Sequence, residues 1–523
     1  MEVELFLCAK ILLSLVLGGL LGLLLYLYKD LVATPKRLRS KLQAQGIQGP
    51  SPSFLYGNIP EMKSIILQFK SKSSSHPQGT TSIAHDWPAA LFPYLEQWRN
   101  EYGPVFVYST GSIQTLCITD PEMAKEVSLC TSLSLGKPSY LSKERRALLG
   151  QGILSSSGPY WAHQRKIIAP EFYQDKVKGM VNLMVDSTTA MLNSWERQAK
   201  TEVGTVEIRV DQDLRSLSAD IISRACFGSN YSEGEKIFSQ LRTVQKIMAK
   251  GNIGVPGSRY LPSKSNREIW RLEREIHSMI LNVVQARKEA RWEKDLLQII
   301  LEDAKTYEGS GCLPVNISSN TFIVDNCKNI YFAGHETTAV SASWCLMLLA
   351  MHPEWQARTR SEAVQICGKN LPNADMLRSM KMLTMVIQET LRLYPPVAFV
   401  VRETLQSICF RGIQIPEGIN LQIFVALLHQ NPDLWGPDVH QFKPERFANG
   451  TSGACKIPQA YMPFGLGPRT CAGQHFAIAE LKVILSLILS RFSFSLSSSY
   501  QHSPEFRLVI EPQHGVILRI KRL

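Results

Sequence analysis

The segment Phe464-Gly465-Leu466-Gly467-Pro468-Arg469-Thr470-Cys471-Ala472-Gly473 is the most informative stretch of this 523-residue chain. Gly465 and Gly467, one residue apart, let the backbone turn tightly and approach a flat partner closely. Cys471 stands just before a run, Ala472 to Ser490, whose apolar spacing is helical. The dipole and free N–H groups at a helix start favour a thiolate there. A bare G-x-G turn beside a buried cysteine would be commonplace. The full ten-residue string is far more specific.

Working outward, Phe322 to Ala350 is long and largely apolar, which predicts a buried helix. Inside it lies Ala333-Gly334-His335-Glu336-Thr337-Thr338. Small Ala333 and Gly334 would let a flat cofactor lie against the helix. The Thr337 hydroxyl can bond the helix backbone and open a local kink. Read alone, the segment is equally well a polar kink in a core helix. Further on, Glu389-Thr390-Leu391-Arg392 puts an acid and a base on one helix face. Such pairs are common on surfaces, but here Ile387, Leu391 and Leu393-Tyr394-Pro395-Pro396 surround the pair with apolar residues and end the helix. Pro444-Glu445-Arg446-Phe447 follows in a Pro- and Gly-rich irregular region. Trp161 and Arg165, four apart, are otherwise an ordinary amphipathic pair.

Taken in this order, the segments resemble the cytochrome P-450 superfamily, and the resemblance covers essentially the whole chain. It implies a fold that is mainly α with small β-sheets, preceded by one transmembrane helix. It implies haem b ligated by the Cys471 thiolate, which donates electron density and promotes O–O cleavage. Phe464, Gly465 and Gly473 would shape the loop around the haem. Arg469, Trp161, Arg165 and Arg402 would hold its propionates. Glu336 and Thr337 resemble an acid–alcohol pair that relays protons. Glu389, Arg392 and Arg446 would form a buried network supporting the loop before Cys471. Asn329, Phe332, Ala333, Val397, Phe399 and Val400 are the candidate substrate-facing residues. His335 is rejected as a metal ligand, because the ligand in this superfamily is the cysteine.

The implied activity is a monooxygenase using O2 and NADPH-derived electrons delivered by NADPH-cytochrome P-450 reductase. Three stretches narrow the likeness to the plant non-A-type group: Asp325 through Trp344, Pro256 through Pro262, and Ala169-Pro170-Glu171-Phe172. Asp325-Asn326-Cys327-Lys328-Asn329-Ile330-Tyr331-Phe332 and Tyr500-Gln501-His502-Ser503-Pro504 most resemble the branch that oxidises gibberellins and related ent-kaurenoids. Hydroxylation or epoxidation of a diterpenoid is therefore expected. The alternatives are oxidation of a brassinosteroid, cytokinin or triterpenoid, an oxygen-independent haem-thiolate isomerase, or a haem sensor without turnover. The Glu336-Thr337 pair argues against the isomerase.

Composition agrees. With 57 Lys plus Arg against 45 Asp plus Glu, the formal charge is +12. That suits an anionic membrane or an acidic protein partner. No zinc-finger spacing or basic–aromatic stripe points to nucleic acid. The 11 cysteines include no C-x-x-C pair, which disfavours a disulfide framework.

Leu5 to Tyr28 is interrupted only by Lys10, and its length as a helix, roughly 36 Å, spans a bilayer. An acidic start (Glu2, Glu4) and a basic far side (Lys29, Lys36, Arg37, Arg39, Lys41) favour an uncleaved anchor over a signal peptide. The expected organisation is an anchor over 1–30, a basic Pro/Gly hinge over 31–60 and a haem domain over 61–523. The catalytic domain would lie in the cytosol, anchored by a single pass to the endoplasmic reticulum membrane. Lys70 to His85 reads as an exposed loop.

Overall fold

The computed structural model describes residues 2–74, 83, 85–201, 205–228, 231–251, 254–289, 295–310 and 317–523. Helices dominate, with small sheets at the edges of the body. The buried helix expected at Phe322–Ala350 runs from Ser319 to Met351. The Ser318 hydroxyl caps it by accepting from the Thr321 N–H at 3.2 Å, and His352-Pro353 ends it. From Phe322 to Ala350 nearly every side chain is buried. Burying each large apolar side chain contributes about 1.5–3 kcal/mol, so this helix is the spine of the core.

Helices Val210–Phe227, Leu296–Ser310 and Gln474–Arg491 pack around the spine. Trp344 stacks on Tyr394 at 4.3 Å between ring centroids, joining the spine to the end of helix Lys381–Leu393.

The main sheet has five strands in the order 105–110, 113–118, 420–424, 399–404, 135–136. Strand Ile113–Ile118 pairs in parallel with Asn420–Phe424, with Thr115 opposite Asn420. Phe399–Thr404 then runs antiparallel, with Phe399 opposite Phe424. Phe399, Val400 and Arg402 of this strand line a cavity together with residues from the middle of the spine. A second sheet joins 206–209, 517–522 and 492–496.

The N-terminal helix is longer than its apolar stretch. Glu2–Tyr28 continues through a π-helical segment, Lys29–Ala33, into Thr34–Gln43. Among the described residues one helix, Leu5–Gln43, is long and apolar enough to cross a membrane, and none of its apolar window is buried against the body.

The 31–60 region departs from the hinge reading. It is helical as far as Gln43, and residues 44–50 are docked rather than loose. Leu42 and Ile47 are buried, and Arg39 donates to the carbonyls of Gly49 at 2.8 Å and Pro50 at 2.6 Å. The Gln48 carbonyl accepts from the Val107 N–H at 3.0 Å, so the segment lies along the sheet. Gly49 is required there, because a Cβ would meet the Val107 carbonyl oxygen at 1.9 Å. Arg39, counted among the basic flank, thus turns inward. The region read as a loop at 70–85 is helical up to Ser74, within Ile59–Ser74. Most of its remainder lies outside the described residues.

Candidate active site

The Cys471 loop is built by short-range hydrogen bonds around two glycines. Gly465 and Gly467 have φ of 70° and 68°, a region that favours glycine. The Gly465 N–H donates to Met462 at 3.0 Å, and the Thr470 N–H to Gly467 at 3.0 Å. The Cys471 N–H closes the loop onto the Phe464 carbonyl at 2.8 Å. Helix Gln474–Arg491 begins three residues later, capped by Gly473.

Cys471 opens onto a cavity of about 320 Å³. Enclosure pushes its thiol up, while the Gly473 N–H and the nearby Arg165 guanidinium favour the thiolate. Arg165 itself donates to the Thr470 carbonyl at 2.7 Å.

The cavity wall includes most of the residues expected there. Trp161, Arg165, Arg402, Phe464, Gly465, Arg469, Cys471 and Gly473 line it, with Thr337, Ala333, Asn329, Val397, Phe399 and Val400. On the spine, Ile330, Ala333, Gly334, Thr337, Thr338 and Ser341 form one stripe at three- and four-residue spacing. The Thr337 hydroxyl donates to the Ala333 carbonyl at 2.8 Å, as anticipated. The helix continues through this point, from Ser319 to Met351.

Two expected residues stand elsewhere. Phe332 is packed in the core and absent from the wall. Glu336 is fully buried on a different face of the spine. There it pairs with Arg215 at 3.2 Å and Arg242 at 2.6 Å, and Glu511 bridges the same two guanidiniums. Burial would raise the Glu336 carboxyl, but Arg215 and Arg242 outweigh it and hold the acid below its usual range. Asn329 reaches the wall, yet its amide is committed: Oδ1 accepts from the Leu154 N–H at 2.8 Å and Nδ2 donates to the Leu149 carbonyl at 2.7 Å.

Lys137, Ile153, Leu154 and Ile222 also line the cavity and were not anticipated. No local pattern marks them, because their loops and helices reach the site only through the tertiary fold.

The support network behind the loop is assembled closely. Glu389 takes a two-pronged pair from Arg392 at 2.7 and 2.8 Å, both residues being fully buried. Arg392 also donates to the carbonyls of His429, Val439 and Gln441. Glu389 accepts the Lys443 N–H at 2.9 Å, and Arg446 approaches it at 3.5 Å while donating to Trp435 and Asp438. The irregular segment preceding Cys471 is thereby tied to helix Lys381–Leu393.

The cavity's own charges test whether haem fits. Lys137, Arg402 and Arg469 converge on it, with no carboxylate on the wall among the described residues. Burial lowers Arg402 to about 10. Burial, with Arg402 and Arg165, lowers Arg469 to about 9, and Lys137 is depressed by burial and by Arg402 and Arg469. Crowded, desolvated cations of this kind call for an anionic partner. The Arg469 guanidinium lies 4.0 Å over the Trp161 ring and donates to the Ser156 carbonyl at 3.1 Å. Gly473 has no protein atom within 4 Å of where a Cβ would sit. A flat dianion carrying an iron for Cys471 answers the cations, the thiol and the open glycine together.

The Cytochrome P450 family model matches residues 84–519. Cytochrome P450 714C2 of Oryza sativa subsp. japonica is 54% identical over 503 residues, covering 95% of each chain. Cytochrome P450 714B2 of the same plant is 46% identical, covering 98% of this chain and 97% of the relative. Cytochrome P450 714A2 of Arabidopsis thaliana is 45% identical, covering 97% of each. A thiol opening onto a cation-rimmed cavity, in a chain matched almost end to end, makes this protein a member of the cytochrome P450 family and a haem-thiolate monooxygenase of the plant type.

Proposed function

We propose that the enzyme hydroxylates or epoxidises a gibberellin or a related ent-kaurane diterpenoid. The observation that carries this is the chemistry of the wall. Above the cysteine it is made by Ile153, Leu154, Ile222, Ile330, Ala333, Val397, Phe399 and Val400. The hydroxyls among them bond back to their own helix: Thr337 to Ala333, Thr338 to Gly334 and Ser341 to Thr337. A surface whose polar atoms are already satisfied suits a compact hydrocarbon skeleton. The likeness to ent-kaurenoid oxidases in Asp325–Phe332 and Tyr500–Pro504 supports the same substrate class.

Haem bound in the cavity supplies dioxygen activation and insertion of one oxygen atom, using electrons that the reductase draws from NADPH. The chain's own residues do the rest. Cys471 would ligate the iron, with the Gly473 N–H and Arg165 favouring its thiolate. Lys137, Arg402 and Arg469 would hold the propionates. Thr337 Oγ1, on the cavity wall, would pass protons. Glu336, paired with Arg215 and Arg242, would join the relay only by releasing one of them.

On the Cys471 side of the body, a groove of about 1030 Å³ is edged by the exposed Lys178, Arg378 and Lys381, with Glu362 also in its lining. An acidic reductase face would dock there. The N-terminal helix would hold the catalytic domain on the cytosolic face of the endoplasmic reticulum.

The test is a panel of gibberellins and ent-kaurenoic acid incubated with microsomes and reductase. Products heavier by one oxygen, dependent on NADPH, support the reading. Turnover of a brassinosteroid, cytokinin or triterpenoid with none on the diterpenoids would replace it.

A further inference from the structure

The spine's N-terminal half carries three polar side chains that the oxygenation chemistry does not use. Asp325, Asn326 and Asn329 are buried and share the face that becomes the cavity stripe further along. All three reach one loop, residues 150–157. Asp325 Oδ2 accepts the Gln151 N–H at 2.8 Å, Asn326 Oδ1 the Ile153 N–H at 3.1 Å, and Asn329 Oδ1 the Leu154 N–H at 2.8 Å.

Lys328 secures the arrangement by pairing with Asp325 at 2.8 Å and donating to the Arg146 carbonyl at 3.3 Å. Two loop glycines seat against the same side chains. A Cβ on Gly150 would lie 2.1 Å from the Asp325 carboxyl, and one on Gly152 would lie 2.6 Å from the Asp325 carbonyl and 2.7 Å from Asn329. The far side of the loop is held too. Gln164 donates to the Gln151 carbonyl at 3.1 Å and accepts from the Ser156 hydroxyl at 3.1 Å, and Arg469 takes the Ser156 carbonyl.

Ile153 and Leu154 are the loop residues on the cavity wall, and their amides are two of the three gripped. We infer that Asp325, Asn326 and Asn329 are positioning residues that clamp the 150–157 loop and thereby fix which ligand shapes the cavity accepts. Asn329 then acts through Leu154 rather than by hydrogen-bonding substrate. A carboxamide has two oxygen lone pairs and two N–H groups. Each of Asn326 and Asn329 uses both ends: Nδ2 of Asn326 donates to Phe322 at 3.0 Å, and that of Asn329 to Leu149. Preorganising a wall in this way selects among shapes by removing the freedom to adapt.

The test uses imidazole and 4-phenylimidazole, both haem-iron ligands, so it does not depend on the diterpenoid assignment. Wild type, Asn329→Ala and Gly152→Ala are prepared as full-length haem proteins in detergent. The last removes no side chain and disturbs the clamp only by its added methyl. Two quantities are measured: hydrogen exchange of the 150–157 segment, and the Kd of each ligand from its difference spectrum.

In both variants the segment's exchange should speed at least tenfold. The 4-phenylimidazole Kd should move at least fivefold relative to imidazole, whose own Kd stays within twofold. A ratio unchanged despite faster exchange would overturn the role in selecting shape. Exchange unchanged in both variants would overturn the clamp itself. Loss of folding in Asn329→Ala leaves Gly152→Ala to decide.

Discussion

Replacing Glu389 by alanine tests whether the buried network is structural or takes part in proton chemistry. The substitution removes the partner to which a fully buried guanidinium now donates two hydrogen bonds at 2.7 and 2.8 Å. Arg392 would keep its three carbonyl contacts, but its charge would be uncompensated, at a cost of about 3–5 kcal/mol. The Lys443 N–H would lose its acceptor, adding about 1 kcal/mol. Unfolding entropy for a chain of this size is roughly 1 kcal/mol per degree, so Tm should fall by about 4–6 °C. Glu389→Gln keeps an oxygen for Lys443 and should lose less. The damage should appear as haem loss on heating, since the tethered segment leads into the Cys471 loop. Thermal scans that follow the Soret band and far-UV ellipticity together give the magnitude. The pH profile of kcat in Glu389→Gln gives the role, and it should match wild type. A Tm within 1 °C of wild type in Glu389→Ala, or a displaced pH profile in Glu389→Gln, would refute the structural assignment.

Thr337→Ala should leave NADPH consumption near wild type while product per NADPH falls several-fold; equal coupling would remove Thr337 from proton delivery. Glu480 is buried, with only the Ser218 hydroxyl bonded to it among the described residues, and burial raises its carboxyl to about 8. Because the folded pKa lies above the unfolded one, its contribution is complete below about pH 4.5 and is lost as pH rises towards 8. Glu480→Gln should therefore gain on the order of 3 kcal/mol at pH 8 relative to pH 5, read from denaturant midpoints at the two pH values. The histidines give the opposite sign. His85 and His429 are lowered to about 3 and His502 to about 4, chiefly by burial, so stability should fall as pH drops from 6.5 towards 4, by up to about 1.4 kcal/mol per pH unit for each. Deleting residues 1–30 should leave body stability unchanged. Deleting 1–45 should lower it by at least about 2 kcal/mol, because Leu42 and the Arg39 contacts go with it.

The fold and the cysteine loop were legible because their signals are local. The spine and the helix after Cys471 each declare themselves by apolar content and by the residues that end them. The basic stretch from Lys29 to Lys41 misled, since charge alone cannot show that Arg39 caps two carbonyls inside the body. The cavity wall was legible only in part. Ile153, Leu154 and Lys137 come to it through tertiary packing, and nothing near them in sequence signals that.

Glu336 and Phe332 each stand next to a wall residue, and helix geometry accounts for only part of their placement. Successive residues on a helix are about 100° apart, so adjacent positions do not share a face. Adjacency sets 332 off 333 and 336 off 337, but 336 is three residues from 333 and a neighbour of it on the helix surface, so spacing alone does not exclude it from the wall that 330, 333, 334, 337, 338 and 341 form. The structure makes the division: Thr337 is on the wall, and Glu336 lies among Arg215, Arg242 and Glu511. An acid so held cannot touch the same atoms as Thr337 unless its carboxylate leaves at least one arginine. Weakening that grip, by Arg242→Gln, should therefore change the pH profile and solvent isotope effect on kcat if Glu336 supplies protons by moving. If both stay fixed while stability alone falls, the acid is a structural counter-ion to Arg215 and Arg242, and protons reach Thr337 by another path.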